Sequence, residues 1–215
     1  MRLDAMDLLI RAIVLLTAIP VHEAAHAFIA DRLGDPTARS VGRLSLNPLR
    51  HFDLLGSFCL LFVGIGWAKP VPIDPRNFRN PRAGMALSAA AGPLSNLLLA
   101  LIAMTAGKLV FLVGAGKIAY WVFVFLLGVC QINISLAIFN LMPFPPFDGS
   151  RIYSAFLPQR AYFGVMRYEK YLFIAVLALL YLGVFDTPLS WLNGWVFSGF
   201  DFLTGWIDLI FAAIR

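Results

Sequence analysis

Long apolar runs alternate along this chain with short polar stretches that carry most of its arginines. About 20 apolar residues span a hydrocarbon core of about 30 Å as a helix. The run Leu8–Ile29 meets that length, as do Ala83–Gly107 and Ile118–Leu141. Tyr171–Phe185 and Trp191–Ile214 predict two further spans. The run Leu54–Trp67 is shorter, and its length suits a segment that enters the membrane and turns back. Three basic stretches separate these runs. Asp31–His51 carries Arg32, Arg39, Arg43 and Arg50; Lys69–Arg82 carries Arg76 and Arg79; the third holds Arg151, Arg160, Arg167 and Lys170. An excess of Lys and Arg marks cytoplasmic loops. Five crossings from an outside N-terminus put all three stretches on that face, provided Leu54–Trp67 does not cross. The pattern predicts an all-α membrane protein: a multi-pass bundle of five to six transmembrane helices with a short re-entrant segment. A single domain covers residues 1–215, with its core at 8–153 and accessory helices at 170–214.

Proline and glycine interrupt the runs at particular points. Pro20 sits inside the first and removes a helical hydrogen bond, which predicts a kink that helps open the chain to water. Ser88-Ala-Ala-Ala-Gly92-Pro93 is a run of small residues suited to close helix packing. Lys69-Pro70-Val71-Pro72 must be extended, because a residue before proline avoids helix. Three prolines in Pro143-Phe-Pro145-Pro146 exclude a regular helix there. Arg11, near the start of the first run, is expected to snorkel to the interface.

Composition sharpens this picture. Of 215 residues, 60% are hydrophobic and 13% charged, against about 25% charged in soluble domains. The net charge of +5 would suit nucleic acid, but no basic stripe interleaves with aromatics, so a nucleic-acid partner is not expected. Cys59 and Cys130 each lie within an apolar run and suggest neither a disulfide framework nor a thiolate metal site. The first run continues into the polar motif below, so no cleavable signal peptide is expected.

That motif is His22-Glu23-x-x-His26. Positions i and i+4 share a helix face, so both imidazoles can reach one zinc ion while Glu23 works on a bound water. Two rings and a carboxylate are costly in an apolar segment and mark a functional site. Zinc hydrolysis needs a third protein ligand and an open position. The chain's other histidine is His51, and the acids near apolar runs include Asp53, Asp148, Asp186, Asp201 and Asp208. Asp148 is best placed, at the end of a broken helix on the face assigned to the cytoplasm. His51-Phe52-Asp53 reads as an interfacial turn, since i,i+2 spacing suits no helical face. Asn96 and Asn140 either bond between helices or meet substrate.

Three motifs in order carry a family resemblance: His22-Glu23-x-x-His26, Gly92-Pro93-Leu94-Ser95-Asn96, and Asn140-Leu-Met-Pro143-Phe-Pro-Pro-Phe-Asp148-Gly149. The chain resembles the site-2 protease family of intramembrane zinc metalloproteases, over roughly Leu8 to Tyr153. With the loop Gly66-Trp67-Ala68-Lys69-Pro70, it is similar to the compact subgroup without a PDZ or CBS domain. Phe147 stands where that family usually has Leu. The resemblance implies one zinc per chain held by His22, His26 and Asp148, with Glu23 as general base. It suggests that Asn140, and less directly Asn96, holds substrate or the developing oxyanion. The expected activity is endopeptidase cleavage in or near transmembrane segments of protein substrates, at the cytoplasmic side of a bacterial cell membrane. The extended Lys69–Pro72 stretch is expected to pair with an unwound substrate strand. A membrane metal-ion or proton transporter is the alternative, and it lacks the inverted repeat common in transporters. A catalytically dead binding protein of the same fold ranks last.

Overall fold

A computed structural model of the chain describes residues 5–62, 66–114, 116–157 and 168–214. In chain order the helices are α1 (Ala5–Arg32), α2 (Thr37–Ser40), α3 (Leu54–Phe62), α4 (Pro81–Val113), α5 (Gly116–Asn140), α6 (Asp148–Ser154), α7 (Glu169–Tyr181), α8 (Asp186–Leu203) and α9 (Gly205–Ile214). No strand occurs among the described residues, and the molecule is an all-α membrane protein. Helices α1, α4 and α5 are long and apolar enough to cross a membrane; α8 and α9 make a fourth span if taken together across a 46° bend. The expected five to six crossings are corrected to three or four among the described residues. Helix α7 has 13 residues, about 20 Å at 1.5 Å each, which falls short of the hydrocarbon core. The expected last span breaks at Thr204. Arg160 and Arg167 of the third basic stretch lie outside the described residues.

Small residues let the three long helices approach. Ile10, Val14 and Ala18 of α1 are buried against Leu99 of α4 and Phe125, Val129, Ile132 and Leu136 of α5. Ala100, Ala103 and Met104 of α4 close the second seam on Cys130, Ile134 and Ile138 of α5. Cys130 is thus a core residue, as its setting predicts. Helix α4 starts where its sequence says it should. Pro81 opens it, and the Asn80 side chain accepts from the Ala83 amide at 3.2 Å, a capping arrangement that satisfies one free donor. Helix α1 continues as one helix through the buried Pro20.

The short apolar run does turn back. Helix α3 has nine residues, about 14 Å. The Lys69 amide donates to the His51 carbonyl at 2.9 Å, so the two ends of the segment meet on one side. A methyl on Gly56 would collide with the Trp67 carbonyl, and one on Gly66 with Leu60; glycine at both positions lets the two legs touch. Arg11 finds a partner within the protein. Its guanidinium donates to the Leu61 carbonyl at 3.2 Å, near the end of α3, where helical carbonyls lack partners. His51-Phe52-Asp53 is a structural turn, as expected: the buried His51 ring bonds the Ser45 carbonyl at 2.7 Å, and Asp53 accepts from the Gly56 amide at 2.8 Å. Asp201 and Asp208 both pair with the half-buried Lys108 of α4, at 2.7 and 2.5 Å. That cluster ties the α8–α9 break to the bundle and excludes both acids as ligands of the histidine pair.

Asp35, fully buried after α1, joins the two basic loops. Its carboxylate accepts from the Thr37 amide at 3.1 Å, the Thr37 hydroxyl at 2.5 Å, the Asn77 side chain at 2.8 Å and the Asp74 amide at 2.8 Å. Desolvation would raise its pKa, but these donors outweigh it and hold the carboxyl below its ordinary value. The clamp is therefore complete above the unfolded aspartate pKa of about 3.9 and is lost as pH falls through the lower folded-state value. Asp35→Ala should destabilise the protein by about 1–3 kcal/mol, the cost of stranding buried donors. Thermal unfolding in detergent checks this, and an unchanged midpoint would contradict it.

Candidate metal centre

The site is built from three elements. Helix α1 supplies His22, Glu23 and His26, all buried. Helix α4 passes behind the two rings, and α6 opens with Asp148 after the proline-broken turn. A methyl on Gly92 of α4 would sit 2.6 Å from His22 Cε1 and 2.5 Å from His26 Cε1. The glycine is therefore the floor on which both imidazoles rest. The sequence placed this glycine in a run of small residues and in the second of the three motifs, without a role at the rings. Gly149 has a similar task, since a methyl there would strike the carbonyls of Leu141 and Met142. Without it α6 could not seat on the turn that carries Asp148.

The ligand-bearing atoms converge. His22 Nε2 lies 3.0 Å from His26 Nε2, and Asp148 Oδ2 lies 3.1 Å from the first and 3.2 Å from the second. Among the described residues this is the group of three such side chains able to hold one metal ion. Its atomic detail argues for a cation at the centre. His26 Nδ1 lies 2.7 Å from the Ser88 carbonyl, which can only accept, so the neutral ring carries its proton on Nδ1 and turns a lone pair on Nε2 inward. That lone pair then faces the carboxylate oxygen of Asp148, and two acceptors at this separation repel unless a positive charge lies between them. A zinc bonded at about 2.0–2.1 Å in tetrahedral geometry has ligand–ligand edges of about 3.3–3.4 Å. The observed edges fall a few tenths of an ångström short of that. The donor set fits zinc, and the Ser88 carbonyl is the kind of outer partner that fixes a metal-binding histidine. His22 Nδ1 is buried without a partner.

Glu23 stands beside this cluster, not in it. Its Oε2 accepts from the Val71 amide at 3.1 Å, so the helix-free 66–74 stretch touches the carboxylate directly. Sequence inspection had no signal for this contact. A cavity of about 820 Å³ opens over the site, lined in part by His22, Glu23, Val71, Asn96, Asn140 and Asp148. That volume is within the range of ligand pockets, about 300–1,000 Å³. Asn140 donates to the Leu136 carbonyl at 2.9 Å within its own helix. Asn96 is buried, and its Oδ1 has no partner. The structure thus brings His22, His26 and Asp148 together and places Glu23, Asn96 and Asn140 on the same cavity wall.

A bundle of membrane-length helices with a His/His/carboxylate cluster and a neighbouring glutamate defines a membrane metallopeptidase scaffold. The family model for peptidase family M50 matches residues 110–183, the stretch that includes Asn140 and Asp148. YwhC of Bacillus subtilis (strain 168) is 39% identical over 185 residues, covering 83% of this chain and 80% of its own. Rip2 of Mycobacterium tuberculosis (strain ATCC 25618 / H37Rv) is 30% identical over 193 residues, covering 85% and 68%. MJ0611 of Methanocaldococcus jannaschii is 41% identical over 64 residues, 30% of each chain. All three carry names that assign them, provisionally, to the zinc metalloproteases. No solved structure matches the chain significantly. The chain belongs to peptidase family M50, the site-2 protease family, and so to the membrane zinc metallopeptidases. Gly92→Ala should weaken zinc affinity about 10–100-fold, the loss that follows when the supports of a metal site are disturbed. A zinc titration of the purified protein checks this; an affinity equal to the parent's would remove Gly92 from the site.

Proposed function

We propose that this protein is an intramembrane endopeptidase that hydrolyses peptide bonds in or near the transmembrane segments of other membrane proteins. The observation that carries the proposal is the three-atom cluster of His22, His26 and Asp148, with Glu23 one residue along α1 from the first ligand. In this reading His22, His26 and Asp148 hold one zinc ion. When bound, zinc lowers the pKa of a coordinated water and polarises a carbonyl oxygen. Glu23 accepts the proton of the attacking water and returns it to the leaving amine as the C–N bond breaks. Asn140 and Asn96, on the cavity wall, are placed to hold the substrate's peptide groups. The unpartnered oxygen of Asn96 supports that role, because a buried amide without partners is costly until a ligand meets it.

A helical substrate hides its carbonyls in internal bonds and must unwind before attack. The extended stretch at 66–74 lines the cavity through Ala68, Pro70, Val71 and Ile73. It offers an edge along which an unwound strand can lie. Basic loops on one side of the bundle support a cytoplasmic face for the site, in a bacterial cell membrane. The partners in this reading are transmembrane protein substrates and the surrounding lipid bilayer, not nucleic acid. A transporter would use His22, Glu23 and Asp148 as a relay, but a glutamate set beside a three-atom cluster fits water activation better. Purified protein in detergent, loaded with zinc and given a membrane-helix substrate, should cleave it. Glu23→Gln should reduce kcat at least 100-fold, the scale of general-base catalysis at about 10²–10⁴, while zinc content stays at the parent level. Cleavage that persists in Glu23→Gln would exclude this mechanism.

A further inference from the structure

Arg43 belongs to the basic stretch whose other arginines lie toward the surface, yet Arg43 is 8% exposed. A buried guanidinium normally requires a carboxylate or a set of hydrogen bonds. Among the described residues no carboxylate pairs with it. Instead its Nη2 donates to the carbonyls of Lys69 and, at 3.2 Å, of Pro70. The Pro70 carbonyl and the Val71 amide are the two poles of one peptide unit, which is planar and rigid. At the other pole, Val71 N–H donates to Glu23 Oε2 at 3.1 Å. A single peptide plane thus runs from a buried cation to the carboxylate beside the metal cluster. Its dipole is aligned with both charges, and linked hydrogen bonds of this kind strengthen one another.

We propose that Arg43 is a positioning residue for Glu23, acting through the Pro70–Val71 peptide. The proposal rests on the role given to Glu23 above. Glu23 has three side-chain torsions, and one bond to a fixed donor narrows where its carboxylate can sit. The donor is fixed because the arginine holds the carbonyl on its far side. Pro70 and Pro72 assist: neither has an amide hydrogen, so Val71 presents the one N–H of the Pro70–Pro72 stretch. The Val71 side chain is itself buried against Ala27 of α1 and Ala38 of α2. Loss of the arginine frees the peptide to rotate and the carboxylate to leave its place beside the attacking water, a displacement that lowers turnover.

The test is a steady-state comparison of zinc-loaded, full-length protein in detergent on one membrane-helix substrate. The variants are Arg43→Gln, Arg43→Lys, Val71→Pro and the Arg43→Gln/Val71→Pro double. Arg43→Gln is expected to lower kcat about tenfold, with KM within twofold and zinc content unchanged. Arg43→Lys keeps the charge and one donor and should recover part of the loss. Val71→Pro removes the other end of the same connection, so the double variant should be no slower than the slower single variant, since sites acting through one contact are not additive. An unchanged kcat in Arg43→Gln overturns the proposal. So does a change confined to KM, independent multiplication of the two single effects, or parallel loss of zinc and activity. Glu23→Gln run alongside separates the two levels. If it is inactive while Arg43→Gln matches the parent, only the positioning role fails; if it remains active, the base assignment fails and this proposal with it.

Discussion

Two imidazole nitrogens and a carboxylate oxygen are brought to within 3.2 Å of one another, although lone pairs at that distance repel. Everything around them serves to hold that arrangement. The histidines share a face of α1, so their spacing is set by helix geometry alone. Asp148 comes from 122 residues beyond His26, and it arrives only because a helix stops at Asn140, turns through prolines and restarts. Gly92 clears the volume the rings occupy, Gly149 lets the restarted helix seat, and the Ser88 carbonyl fixes one tautomer. A cation at the centre turns mutual repulsion into attraction, which is why the cluster fits a metal better than a chain of ordinary hydrogen bonds.

The second constraint is the supply of hydrogen bonds. Lipid offers none to irregular backbone, which persists among membrane helices only where protein or a wet cavity supplies partners. This protein meets that demand with a few long side chains. Arg11 reaches the Leu61 carbonyl, Arg43 reaches Lys69 and Pro70, Glu23 receives the Val71 amide, and His51 receives Lys69 through its backbone. The re-entrant segment and the extended stretch are therefore pinned on several sides. The same bonds that make the irregular backbone tolerable also set the wall of the reactive cavity, so structural satisfaction and the geometry of the site are one problem here.

Some of this was legible in the residues. The three long helices, the turning-back of Leu54–Trp67, the core cysteine, the structural turn at His51–Asp53 and the convergence of Asp148 on the histidine pair all agree with what the sequence predicts. Expectations failed where length alone was the guide. Tyr171–Phe185 is apolar enough to read as a span but is too short as a helix, and Trp191–Ile214 makes a span only as two helices taken together across the bend at Thr204. Arg11, expected near the interface, also serves as a partner for the re-entrant helix, which its sequence position did not signal.

Composition and periodicity by themselves determined the solvent this protein lives in, the helical class and the histidine pair on one face of α1, because hydrophobic length and i,i+4 spacing are local properties. Gly92, Ser88, Val71 and Arg43 carry no such local mark. A glycine in a run of small residues, a serine acting through its carbonyl and an arginine in a basic loop each have an ordinary explanation in one dimension. Only the packing of α1 on α4, and the return of the 66–74 stretch over α1, decided that the first two shape the histidine pair and that the last two share a peptide unit that reaches the glutamate. Those contacts join residues tens of positions apart, and their energies depend on distances that no run of neighbouring side chains encodes.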